Sequence, residues 1–121
     1  MKHVIILTAE ETFKGQPDSD FNFEIQSYRA CCTFLESFLS NHYELVILDI
    51  DLLEQRVIHV LKIIKLLKRS VPVILVLSDK HITICKKALP MGILAYLMKP
   101  VAQNEFHEQL QRYLGEKKLN Y

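Results

Sequence analysis

Tryptophan is absent from this chain of 121 residues, glycine occurs only 3 times and proline 4 times. Such scarcity excludes collagen-like and low-complexity architectures. The 3 cysteines are an odd number, with Cys31 and Cys32 adjacent and Cys85 apart, so no disulfide framework is expected and a reducing, cytoplasmic setting is. An excess of one charge is lacking too. The 15 Lys and Arg stand against 14 Asp and Glu, a net +1, which argues against a polyanion binder held by bulk charge. No apolar run exceeds about half a bilayer span, and Val4 to Leu7 is too short for a signal-peptide core, so no membrane segment is expected. Repeats at solenoid or propeller periods are missing as well.

What is present is a set of short apolar runs. Val4 to Leu7, Leu45 to Leu48, Val73 to Leu77 and Ile93 to Met98 are β-branched or aliphatic, four to six residues long and non-alternating, as expected of strands covered on both faces. The stretches between them carry apolar residues at helical spacing. Cys31, Phe34, Leu35, Phe38 and Leu39 share one face; Val57, Leu61, Ile64 and Leu67 form a second stripe; Phe106, Leu110, Tyr113 and Leu114 form a third. A β-then-α alternation of this kind predicts one open α/β domain over residues 1–121, with helices on both faces of a parallel sheet.

Residues 10–22 depart from that rhythm. Gly15, Pro17, Asp18, Ser19 and Asp20 break any helix and leave room for about one turn near Glu11 to Lys14. Beyond them, Phe21, Phe23 and Ile25 alternate like a strand. Phe21, Ile25, Tyr28, Cys32, Leu35 and Leu39 also fit one long helical stripe, so both readings of residues 19–28 stay open, with the strand favoured.

In open α/β sheets chemistry gathers beyond the carboxyl ends of the strands. Thr8 follows the first run, Asp49 the second, Ser78 with Asp79 the third, and Lys99 with Pro100 the fourth. A carboxylate, a hydroxyl and an ammonium are thereby expected on one rim.

In this order the rim resembles the receiver domain of bacterial response regulators, which a histidine kinase phosphorylates on an aspartate. Tyr43-Glu44-Leu45-Val46-Ile47-Leu48-Asp49 looks like the strand that ends in the phosphoacceptor. Val71-Pro72-Val73-Ile74-Leu75-Val76-Leu77-Ser78 looks like the next, ending in its Ser or Thr, and Gly92-Ile93-Leu94-Ala95-Tyr96-Leu97-Met98-Lys99-Pro100 like the last. The resemblance implies a flavodoxin-like (CheY-like), doubly wound five-stranded parallel sheet in the order 2-1-3-4-5, here with a truncated or missing first helix. It also implies that Asp49 is the phosphoacceptor, that Ser78 and Lys99 contact the phosphoryl oxygens, that Tyr96 is the switch aromatic, and that the bond before Pro100 is a cis candidate.

The departures from the family pattern are specific. Thr8 and Ala9 stand where the family has the acidic pair that holds a divalent cation, so Mg²⁺ is doubtful and would depend on Asp49 with Glu10 or Glu11. Leu53 and Val57 replace a Pro and a Gly, and Asp79 adds a carboxylate beside Ser78. The short first crossover suggests that Ile5, Leu7 or their neighbours are left bare, favouring a homodimer through that face or through the last helix.

Other chemistries have weaker support. Arg56, Lys62, Lys65, Lys68 and Arg69 read as a solvated helix face, so no nucleic-acid partner is expected. The five histidines lack metal-ligand spacing. No Gly-rich phosphate loop follows a strand, and no Ser or Cys nucleophile pairs with a histidine base. The expectation is a non-enzymatic, stand-alone receiver-like domain that contacts a histidine kinase or another signalling protein. The alternatives are a phosphorylation-independent pseudo-receiver scaffold or dimerisation module, and a small flavodoxin-like ligand binder or enzyme.

Overall fold

Val4, Ile5, Ile6 and Leu7 are all fully buried, which requires cover on both faces of the strand that carries them. The computed structural model describes residues 2–14, 23–68 and 70–114. In it β1 (Lys2–Leu7), β2 (Phe23–Tyr28), β3 (Leu45–Asp49), β4 (Val73–Leu77) and β5 (Ala95–Met98) form one sheet in the order β2-β1-β3-β4-β5. Every pairing is parallel. The helices are α1 (Cys31–Ser40), α2 (Ile50–Leu53), α3 (Arg56–Leu67), α4 (Ile82–Ala88) and α5 (Gln103–Leu114). This is the expected order of a flavodoxin-like sheet.

Residue parity divides the interior into two cores. Ile5, Leu7, Val46, Leu48, Val73 and Leu75 pack with Phe34 and Phe38 of α1 and Val57, Val60, Leu61 and Ile64 of α3. Val4, Ile6, Leu45, Ile47, Ile74 and Val76 pack with Phe13, Phe23 and, from α5, Phe106 and Leu110. Continuous aliphatic runs thus occur in the three central strands because both parities are buried. Both edge strands alternate instead. On β2 Phe23 is buried and Glu24 and Gln26 are exposed. On β5 Tyr96 and Met98 are exposed while Ala95 and Leu97 are partly buried, so the run Ile93 to Met98 is not covered on both faces as expected.

Several expectations need correction. The strand favoured for residues 19–28 is found over Phe23–Tyr28, and it is the alternative, the long helical stripe through Ile25 and Tyr28, that does not exist; residues 19–22 lie outside the described residues. Leu39 and Leu67 are 59% and 46% exposed. Both lie in the final turn of their helices, beyond the last buried position of each stripe.

The first crossover contains a single 3₁₀ turn, Glu11–Lys14, among the described residues. The bare face expected there is not observed. Ile5 and Leu7 point to the opposite core and are fully buried. The near face is covered by Phe13, whose ring centroid lies 4.9 Å from that of Phe106, and by Phe23. Among the described residues Phe13 is thus one of the side chains that cover this face, and the exposure of Ile5 and Leu7 on which a homodimer through it was expected to rest is not found.

Candidate functional site

The carboxyl ends of β1, β3, β4 and β5 deliver Thr8, Asp49, Ser78 and Lys99 to one rim, as the strand order requires. Asp49 is 1% exposed, and a buried carboxylate must be satisfied by donors or charge. It is. Oδ2 accepts from the Thr8 hydroxyl at 2.6 Å and from Lys99 Nζ at 2.9 Å. Oδ1 accepts from Lys99 Nζ at 3.0 Å and from the Asp51 amide at 2.9 Å. The last contact makes Asp49 the N-cap of α2.

Lys99 is the hub of the rim. Besides Asp49, its ammonium reaches Glu10 Oε2 at 2.6 Å and Asp51 Oδ2 at 3.0 Å. Burial acts to lower the Lys99 pKa, but these three carboxylates outweigh it and hold it above the ordinary lysine value. The Lys99–Pro100 peptide is cis.

Ser78 is bonded to Asp51. Its hydroxyl donates to Asp51 Oδ1 at 2.9 Å and its amide donates to the same atom at 3.1 Å. His81 Nδ1 completes the group at 2.6 Å; because an ionised carboxylate only accepts, the ring nitrogen is the donor. Burial would raise the Asp51 pKa, yet the bonds from His81, the Ser78 amide, Lys99 and the Ser78 hydroxyl hold it far below the usual carboxylate range.

The structure separates the remaining candidates. Glu10 bends back to the rim, helped by its amide bond to the Thr8 hydroxyl at 3.1 Å. Glu11 points away and pairs with Arg29 at 3.2 Å across the surface. Asp79 is exposed at the start of a 3₁₀ turn, so the second carboxylate beside Ser78 is Asp51. Tyr96 is 45% exposed on β5.

Sequence reasoning missed Asp51 and His81. The signal for the first was the Asp49-Ile50-Asp51 spacing at a strand end, where a short helical turn folds the second acid back over the first. A recess of about 330 Å³ lies beside Thr8 and Glu10, and a larger one of about 460 Å³ lies around His3, Glu24 and His42. Neither is lined by Asp49, Ser78 or Lys99.

This geometry can be set beside known proteins. A comparison with protein families matches residues 17–111 to the response regulator receiver domain. Among curated proteins the chain is 32% identical over 79 residues to the transcriptional regulatory protein BasR of Escherichia coli, covering 65% of this chain and 36% of that protein. It is 29% identical over 76 residues to the transcriptional regulatory protein CitT of Halalkalibacterium halodurans, covering 63% and 33%. The chain therefore spans about a third of the length of these relatives. Among solved structures, the non-phosphorylated HemR receiver domain from Leptospira biflexa superposes with a TM-score of 0.80 at 16% identity, with 100% of each chain covered; that likeness speaks to the fold alone.

Receiver domains are signalling modules, generally not enzymes. They typically bind Mg²⁺ at an acidic site and interact with histidine kinases and other signalling proteins. Among the described residues no helix is long and apolar enough to cross a membrane. With the match extending over most of its length, this chain belongs to the response regulator receiver domain family.

Proposed function

We propose that this chain is a receiver module of two-component signalling that acts through protein contacts while its Asp49 is held closed to phosphorylation. One observation carries the reading: both Asp49 oxygens already accept two hydrogen bonds each, from Thr8, Lys99 and the Asp51 amide. A nucleophile must present a free lone pair to phosphorus. In addition, three carboxylates face one ammonium here, so a further dianionic group would meet repulsion.

Mg²⁺ is a poor match to this donor set. A hard cation needs anionic oxygens free to point at it. Thr8 donates its hydroxyl hydrogen bond to Asp49, Ala9 has no oxygen in its side chain to offer a cation, and Lys99 already stands where Glu10, Asp49 and Asp51 converge. The residues present therefore do not fit the cation.

In this reading the partner is a histidine kinase or another signalling protein, met in the cytoplasm, a setting that suits three free cysteines. The contact face is the one carrying Leu94, Tyr96 and Met98, exposed by 47%, 45% and 37%. The test is incubation with acetyl phosphate and Mg²⁺ followed by intact mass. No gain is expected; a gain of one phosphoryl group that Asp49→Asn lacks overturns the proposal.

A further inference from the structure

Four donor groups, from the end of β4, the 3₁₀ turn Asp79–His81 that follows it and the end of β5, converge on one place beside Asp49. The Ser78 amide, the Ser78 hydroxyl and His81 Nδ1 address one oxygen at 3.1, 2.9 and 2.6 Å, and Lys99 Nζ addresses its neighbour at 3.0 Å. A backbone amide, a hydroxyl, an imidazole and an ammonium aimed together at an oxygen pair are the chemistry of oxyanion binding. The occupant is the protein's own Asp51 carboxylate, carried in on α2.

We infer that Asp51 is a tethered resident of an oxyanion cradle, and that its carboxylate shuts phosphate-like anions out of the rim. This rests on the reading of Asp49 as closed and goes further, because it names the group that closes the cradle. Tethering explains the selectivity: an anion attached three bonds from the backbone has no translational freedom left to lose, so a free anion competes at a disadvantage. Asp51 is 21% exposed, so truncating it opens the cradle to solvent. The volume vacated by a carboxylate then admits part of a tetrahedral oxyanion, with the rest extending outward.

A purely structural carboxylate makes a different prediction. Its removal destabilises the rim, and nothing added to solution repairs the loss. A resident anion is replaceable, and its replacement stabilises the fold by mass action.

The probe is inorganic phosphate at constant ionic strength, titrated into ¹⁵N-labelled protein while the Ser78 amide is followed, with chloride as control. Wild type is expected to show no saturable shift. Asp51→Ala is expected to show one, with an apparent Kd at least tenfold below any wild-type limit, weakened again by adding Ser78→Ala. Phosphate should also raise the Tm of Asp51→Ala and leave that of wild type unchanged.

A saturable Ser78 shift in wild type overturns the inference, as does a folded Asp51→Ala that binds no phosphate. Should Asp51→Ala fail to fold, Asp51→Ser, which keeps an acceptor for Ser78, takes its place. If that also fails, phosphate must restore the fold of either variant, and failure to do so counts against the resident anion. Phosphorylation of wild type by acetyl phosphate sinks the reading of Asp49; an unphosphorylated wild type beside a variant blind to phosphate sinks only the inference about Asp51.

Discussion

The hydroxyl of Ser78 is bonded to Asp51, at 2.9 Å, across 27 residues of sequence. The group expected to meet a phosphoryl oxygen at position 49 is thus engaged with a carboxylate two residues farther on. Ser78 is bonded to that carboxylate while Tyr96 is 45% exposed. The aromatic is not drawn in by Ser78 in this arrangement.

Lys99→Met removes the cation that balances Asp49, a carboxylate with a side chain only 2% exposed. Breaking one partner of a buried pair costs about 3–5 kcal/mol. Urea unfolding should report a loss of that order, and adding Asp49→Asn should recover part of it, giving a non-additive double-mutant cycle.

Acid should weaken the fold through Asp51. Burial opposes ionisation there, but the donors from His81, Ser78 and Lys99 prevail and the folded pKa lies below the ordinary value. A depressed carboxylate stabilises the fold fully above its unfolded pKa, about 4, and that contribution is lost as pH falls through the folded value. Stability measured between about pH 5 and pH 2 should therefore fall less steeply in Asp51→Asn than in wild type.

Glu54 adopts φ +53° and ψ −132° between α2 and α3, a backbone state that favours glycine. Relief of that strain by Glu54→Gly should raise stability by about 1 kcal/mol. A denaturation midpoint moving the other way would show that the 3.8 Å approach of Glu54 to His81 outweighs the strain.

Phe13→Ala should cost about 3–5 kcal/mol, as expected for a fully buried ring, because Phe13 is 2% exposed and packs on Phe106. Leu39→Ser should stay within about 0.5 kcal/mol of wild type, since Leu39 is 59% exposed. Thermal unfolding of the two variants decides both.

The strands were legible because Val4 to Leu7, Leu45 to Leu48 and Val73 to Leu77 are buried on both parities, which forces continuous apolar runs. Strand order and family resemblance then placed 49, 78 and 99 on one rim. Helical spacing identified the inward faces of α1 and α3 but not where the cover stops, so Leu39 and Leu67 were misread. Phe13 escaped notice because a single ring on a turn has no periodicity. Asp51 escaped because its role depends on the fold of a four-residue helix, and His81 because its partner lies 30 positions away.

The most direct test of a self-occupied rim is a crystal of the wild-type protein soaked with Mg²⁺ and beryllofluoride. The expected density shows Asp51 still bonded to Ser78 and Lys99, with Lys99 on both Asp49 oxygens and no added group. Beryllofluoride on Asp49, with Mg²⁺ beside it and Asp51 swung out, would contradict the account.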